Sequence, residues 1–238
     1  MKVLGLVTAK SKSSRIEYKN KVPVHGKPLY KWTTDFCENN IEFFDCLVFS
    51  SDKPEDYNVG INWLRLYRPP WYILDSTPHI ESVKHALSFA EDYTDQKYDL
   101  VVLMQPTNPL RNTKLLYHAM CVAETYMGRP SLAPHVSRCV YVDHNLCRKY
   151  LVRSQWYGDD INGSPMVRSG ALYTYSRDYL KNPYSFKGHR IVISKEVGYN
   201  INDPIDIKIT EALFGVQGVP YGYTKSWASE QVRGSHIL

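Results

Sequence analysis

The chain has 238 residues, a formal net charge of +5, 43% hydrophobic residues and 22% charged residues, a balance that excludes intrinsic disorder and suits one domain with an insertion better than two equal domains. Its cations are scattered rather than gathered into a basic run, which speaks against a nucleic-acid partner and suits a small anionic ligand. No apolar run approaches the length of a membrane span, so no membrane partner is expected.

In chain order, the apolar run Val3, Leu4, Leu6, Val7 predicts a first strand. It breaks at Thr8-Ala9 into a polar loop, Lys10 to Asn20, carrying Lys10, Lys12, Arg15 and Lys19. Gly26-Lys27-Pro28-Leu29 then closes a turn and opens a helix over Pro28 to Asn39. A strand, a loop of hydroxyls and cations, and a helix start are how α/β proteins hold phosphate at the carboxyl edge of a sheet. The loop matches neither of the common glycine-rich phosphate motifs, so a solvated basic loop is the competing reading of these residues alone.

Phe43 to Phe49 predicts a strand apolar on both faces, which belongs inside a parallel sheet covered by helices, and it ends at Ser50-Ser51-Asp52. Trp63 to Tyr67 predicts a short strand leading to Arg68-Pro69-Pro70. The apolar spacing of Ile80, Val83, Ala86, Leu87 and Ala90 predicts a helix from Pro78 to Tyr93, with Glu81 and Lys84 on its solvated face and His85 without evident partner. Tyr98 to Met104 carries the strongest central-strand signal. After it comes Gln105-Pro106-Thr107-Asn108-Pro109-Leu110-Arg111, a turn pinned by two prolines, and a helix from Thr113 to Tyr126.

Short alternating pieces between about residues 130 and 166 predict a β-rich inserted arm of the kind used for subunit contacts. Ala171 to Tyr175 and Ile191 to Ile193 return to the sheet. Asp203, Pro204 and Asp206 fit the cap, first and third positions of a last helix reaching about Phe214. The expected organisation is therefore a domain over 1–215, with the arm inside it, and a tail over 216–238. Five cysteines without framework spacing (Cys37, Cys46, Cys121, Cys139, Cys147) and no signal peptide predict free thiols in the cytoplasm. The cluster Cys139, His144, Cys147 lacks the paired spacing of a zinc site. Nineteen tyrosines fall largely in apolar strands and helix faces, where packing accounts for them more simply than base stacking does.

Taken together, these loops resemble the acylneuraminate cytidylyltransferase (CMP-sialic acid synthetase) family up to about Phe214. That family's first loop, A-R-G-G-S-K-x-I-P-x-K-N, is similar to Ala9 through Asn20, and its G-K-P-L is intact at Gly26 to Leu29. Its S-[ST]-D resembles Ser50-Ser51-Asp52. Arg68-Pro69, Leu74-Asp75 and His85-Ala86-Leu87 follow its next motifs, L-x-Q-P-T-[SN]-P-L-R is met by Leu103 to Arg111, and N-G-A-I-Y is similar to Ser169 through Tyr173.

The resemblance implies a Rossmann-like α/β nucleotidyltransferase fold, with a mostly parallel sheet, helices on both faces and an arm pairing two subunits into a homodimer. It also implies a reaction in which a sugar oxygen of an acidic sugar attacks the α-phosphorus of CTP and expels pyrophosphate, with Mg²⁺ as the expected cofactor. On this reading Lys10, Arg15, Lys19 and Gln105 are catalytic. Ala9, Lys10, Ser13, Ser14, Arg15, Lys19, Asn20, Arg68 and Ser76 bind the nucleotide, and Gln105, Arg111 and Arg168 bind the sugar, Arg168 through its carboxylate. Blander roles stand beside these: a solvated Lys19, a Gln105 that satisfies backbone beside Pro106, and an Arg168 paired with Asp159 or Asp160.

The chain departs from the family at three places. Two loop glycines are Ser11 and Lys12, the loop lysine is Ser14 beside Arg15, and the acidic D-I-D metal motif reads Asn200-Ile201-Asn202. Amides bring no charge to a divalent ion, so no metal ligand is assigned. Two further readings stay open: an altered nucleotidyltransferase with another nucleotide or sugar, and a non-catalytic nucleotide-binding descendant. A nucleotide-sugar glycosyltransferase ranks lower, because its usual D-x-D position holds Gln105-Pro106-Thr107.

Overall fold

The structure, a computed structural model, describes residues 1–128, 135–142, 156–159, 164–183 and 188–217. The first strand, β1 (Val3–Ala9), is buried along its whole length. The basic loop after it leads to a hairpin of β2 (Pro23–Val24) and β3 (Lys27–Pro28), turned by Gly26 at φ +76, a left-handed conformation in which a side chain is strained. Helix α1 (Leu29–Glu38) follows directly. Strand β4 (Cys46–Ser51) begins later than the apolar run suggests, because residues 41–43 form a 3-10 turn. Then come β5 (Trp63–Tyr67), α2 (His79–Thr94), β6 (Leu100–Met104) and α3 (Thr113–Met127).

In the second half, β7 (Val136–Val142) and β8 (Trp156–Asp159) precede β9 (Pro165–Ser176), α4 (Arg177–Lys181), β10 (His189–Val192) and α5 (Pro204–Gln217). The sheet order is β10-β7-β9-β6-β1-β4-β5, with β8 added on β9. Strands β6, β1, β4 and β5 are mutually parallel, as expected. Strand β9 runs antiparallel to both β6 and β7, and β10 is parallel to β7. Residues 136–142, expected in the arm, are thus a strand of the main sheet. The other arm pieces and turns at 131–134, 150–152 and 160–163, together with Cys147, His144 and residues 218–238 of the tail, lie outside the described residues.

Alternate residues of the central strands feed two cores. Val3, Val7, Leu100, Val102 and Met104 pack with Tyr30 and Cys37 of α1 and with Leu115, Leu116, Ala119 and Ala123 of α3. Leu4, Leu6, Val101 and Leu103 pack with Val83, Ala86, Leu87 and Ala90 of α2. Helices therefore cover both faces, and this is why the strands are apolar on both sides. A third cluster, with Val24, Leu29, Trp32, Leu110, Ile201 and Phe214, docks α5 against α1 and the hairpin. Because β1, β4, β5 and β6 are parallel, Lys10, Asp52, Arg68 and Gln105 all follow strand ends on the same edge.

Candidate active site

A cavity of about 410 Å³ opens at that edge, lined by Thr8, Lys10, Ser13, Ser14, Arg15, Lys19, Asn20, Arg68, Tyr72, Ile73, Leu74, Asp75, Thr77, His79, Gln105, Pro106, Thr107, Asn200 and Asn202. Four of these are cations, Lys10, Arg15, Lys19 and Arg68, against a single carboxylate, Asp75. Such a wall suits a polyanion.

The basic loop is held in place by its polar atoms. Ser11 donates its N–H and hydroxyl to Asp52 at 2.7 and 2.5 Å. Asn20 Nδ2 and the Tyr57 hydroxyl both donate to the Lys10 carbonyl, at 2.9 and 3.2 Å. Burial would raise the Asp52 carboxyl, but the Ser11 hydrogen bonds and the Arg68 charge outweigh it and hold the group below its ordinary range. Serine in place of a loop glycine therefore acts as a tether, and Asp52 is its anchor.

The cations converge from this loop. Lys19 Nζ donates to the Ile201 carbonyl at 3.0 Å, and Arg15 Nη2 donates to Asn202 Oδ1 at 3.1 Å, with Asp203 Oδ2 3.7 Å from Arg15 Nη1. Lys10 reaches across the mouth to the exposed Asp75 at 2.9 Å. Burial, and then the neighbouring Arg15 charge, pull the Lys19 ammonium below the ordinary lysine range.

Beyond the basic loop, the wall from Arg68 to His79 carries only two charged groups, Arg68 and the exposed Asp75. Arg68 is 4% exposed, and its Nε finds no hydrogen-bond partner among the described residues. His79, the first residue of α2, places Nε2 3.1 Å from Thr8 Oγ1. Burial and the adjacent Arg68 push its imidazole down to about 4, so it is neutral at physiological pH. Sequence reasoning missed Thr8, Tyr72, Asp75, Thr77 and His79 as wall residues. The position of His79 at a helix start beyond an R-P turn was the available signal.

Of the expected site residues, Lys10, Ser13, Ser14, Arg15, Lys19, Asn20, Arg68 and Gln105 are brought together in the wall. Four are not. Ala9 is buried in the core by strand alternation, and Ser76 lies outside the lining although Asp75 and Thr77 belong to it. Arg168 sits on β9 opposite Val140, and its charge is felt by the buried Tyr175 hydroxyl; the wall does not include it.

Arg111 is corrected most sharply. It is 2% exposed and donates Nε to the Ala171 carbonyl at 2.9 Å, Nη1 to Thr33 Oγ1 at 2.6 Å and Nη2 to the Gln105 carbonyl. A guanidinium engaged on three sides beneath the site is a brace for Gln105, not a sugar ligand. Burial lowers it to about 10, still charged at neutral pH.

The turn after β6 organises the far wall. Ile201 N–H donates to the Thr107 carbonyl at 2.8 Å, and Asn108 Nδ2 donates to the Gly198 and Tyr199 carbonyls at 3.0 and 2.8 Å. Asn200 and Asn202 are thus fixed beside the basic loop. Their surroundings do not fit Mg²⁺. Asp206 Oδ2 accepts the N–H groups of Asn202 and Asp203 at 2.7 and 2.8 Å, and its Oδ1 accepts the Tyr199 hydroxyl at 2.8 Å. Asp203 faces Arg15. Among the described residues no group of three or more His, Cys, Asp or Glu is placed to hold a metal ion.

No model of a known protein family matches the chain. The N-acylneuraminate cytidylyltransferase of Escherichia coli O18:K1:H7 is 30% identical over 129 residues, 52% of this chain but only 29% of that relative's length. The CMP-N,N'-diacetyllegionaminic acid synthase of Legionella pneumophila is 24% identical over 231 residues, 90% of this chain and 96% of the relative. Among solved structures, a CMP:2-keto-3-deoxy-manno-octonic acid synthetase complexed with CTP superposes with a TM-score of 0.61 at 13% identity, over 91% of this chain and 100% of that one, a likeness of fold. The curated relatives the chain resembles are thus cytidylyltransferases and CMP-sugar synthases of acidic sugars, at modest identity.

Proposed function

We propose that the protein is a cytidylyltransferase that transfers CMP from CTP to an acidic, sialic-acid-like sugar and releases pyrophosphate. The observation that carries this reading is the convergence of Lys10, Arg15, Lys19, Arg68 and Gln105 on one cavity at the parallel strand ends, together with relatives named for the synthesis of CMP-linked acidic sugars. In the reaction a sugar hydroxyl oxygen forms a bond to the α-phosphorus and gives up its proton to water, while the bond from that phosphorus to the bridging oxygen breaks and its electron pair leaves on pyrophosphate. Negative charge grows on the departing group, where Lys10, Arg15 and Lys19 stabilise it. The wall around Arg68, His79 and Thr8 receives the nucleoside, since an uncharged imidazole and a buried guanidinium offer hydrogen bonds to a base or ribose. Gln105, braced by Arg111, positions the acceptor.

The test is pyrophosphate release from each of the four nucleoside triphosphates with a panel of acidic sugars. Release with CTP that requires one of the sugars is expected, and silence across the panel overturns the proposal. The same reading carries a homodimer through the segment around β8, which pairs with β9 off the path of the main sheet, and a cytoplasmic setting, where CTP is available. No helix among the described residues is long and apolar enough to cross a membrane.

A further inference from the structure

The cation balance of the cavity leads beyond the expected reaction and rests on the nucleotide reading just given. We infer that the site binds its nucleoside triphosphate in the metal-free form, with the Arg15 guanidinium, oriented by Asn202, supplying positive charge that a divalent ion would otherwise bring.

Most of the amide and carboxylate oxygens on the loop before α5 are already engaged. Asn202 Oδ1 accepts from Arg15, Asp203 faces the same guanidinium, Asp206 Oδ2 holds the start of α5 and its Oδ1 accepts the Tyr199 hydroxyl. One amide oxygen, Asn200 Oδ1, is buried without a hydrogen-bond partner among the described residues. A hard cation needs several oxygens, and charged ones for affinity; one neutral oxygen beside Arg15 and Lys19 does not make such a site. A triphosphate carries its own oxygens to the cations instead.

Asparagine at 202 leaves Arg15 facing one carboxylate, the half-exposed Asp203 at 3.7 Å, instead of two. An amide oxygen accepts a hydrogen bond from Arg15 and fixes its direction without neutralising it. A carboxylate at the same distance would form a charge-assisted pair and withdraw Arg15 from the ligand. Lys10 is similarly retained: its partner Asp75 is 84% exposed on its side chain, so an exchange of that surface bridge for phosphate oxygens sacrifices little. The Lys19 ammonium is depressed first by burial and then by the Arg15 charge, so an arriving anion would find it beside another cation.

Calorimetric titration of the full chain with CTP, in excess chelator and in excess Mg²⁺, separates the possibilities. Binding in chelator within about threefold of that in Mg²⁺ is expected, while Asn202→Asp weakens metal-free binding about tenfold and makes it recover with Mg²⁺. Arg15→Gln weakens binding in both conditions. Wild-type binding that needs Mg²⁺, or an Asn202→Asp variant that binds more tightly in chelator, overturns the inference while leaving the nucleotide reading intact. No CTP binding in either condition overturns both.

Discussion

A methyl group added at Gly170 would lie 1.9 Å from Gln105 Oε1 and 2.7 Å from Asn108 Oδ1. Gln105 also donates its N–H to the Gly170 carbonyl at 3.2 Å and gives its own carbonyl to Arg111. The backbone of residue 105 is therefore pinned from two sides, and its amide rests on a surface that only glycine leaves flat. In Gly170→Ala the Gln105 amide can swing away, but the buried Asn108, held by its bonds to Gly198 and Tyr199, must also give, so stability should fall by about 1–3 kcal/mol, while the acceptor loses a positioning contact. Transfer activity, kcat/KM, should fall about tenfold or more. Adding Gln105→Ala to Gly170→Ala should lower activity little further, because both changes remove the same group; full additivity in this double-mutant cycle would show that Gly170 acts elsewhere.

Helix α5 owes its start to Asp206 rather than to the residue at its cap. The sequence rule puts Asp203 there as a side-chain cap, but it is the Asp206 carboxylate that reaches back to the N–H groups of Asn202 and Asp203, the returning half of a capping box. Asp206→Ala should destabilise the protein by about 1–2 kcal/mol in urea titration and weaken CTP binding by freeing Asn202. Asp203→Ala should leave the urea midpoint nearly unchanged, and equal losses in the two variants would contradict this assignment.

The same contrast shows what could be read before the structure. The parallel strands were legible because burial on both faces leaves continuous apolar runs such as Leu100 to Met104, and the amphipathic α2 because its apolar positions recur at helical spacing. Strand β9 was half hidden: its apolar signal covers only Ala171 to Tyr175, yet the strand begins at Pro165, with Arg168 opposite Val140 of β7 and Gly170 at the break in register that makes room for Gln105. Phe43 and Phe44 carried apolar character into a 3-10 turn and its end. His79 has no periodic signature, and the buried state of Arg111 depends on tertiary neighbours, Thr33 and Ala171, distant in the chain.

Across the molecule, β9 joins two parts of the sheet: β6 on one side, with the strands that end at the cavity, and β7 with β10 on the other. The second part feeds the site indirectly, since the chain leaves β10, bonds Ile193 N–H to the Val140 carbonyl at 2.9 Å, and then enters the loop carrying Asn200 and Asn202. His135, fully buried beside β7, is bonded through Nε2 to Thr174 Oγ1 at 3.0 Å and stacked near His189 and Tyr126. Burial first, and the His189 charge second, push its imidazole down from 6.5 to about 4.

In the unfolded chain that histidine takes up a proton below its ordinary value, while the folded state resists until about 4. Between those limits the unfolded state holds more protons, so stability falls as the solution is acidified. One such group contributes a loss of about 3 kcal/mol at most over the window. His79 and His189 are shifted in the same direction and steepen the decline, whereas the lowered carboxylates Asp45 and Asp52 act mainly at still lower pH, below their ordinary 3.8. The urea midpoint should therefore drop between about pH 7 and about pH 4.5, and His135→Gln, although less stable at neutral pH, should show a visibly shallower drop. An equally steep decline in that variant would assign the acid sensitivity to the other lowered histidines, His79, His85 and His189.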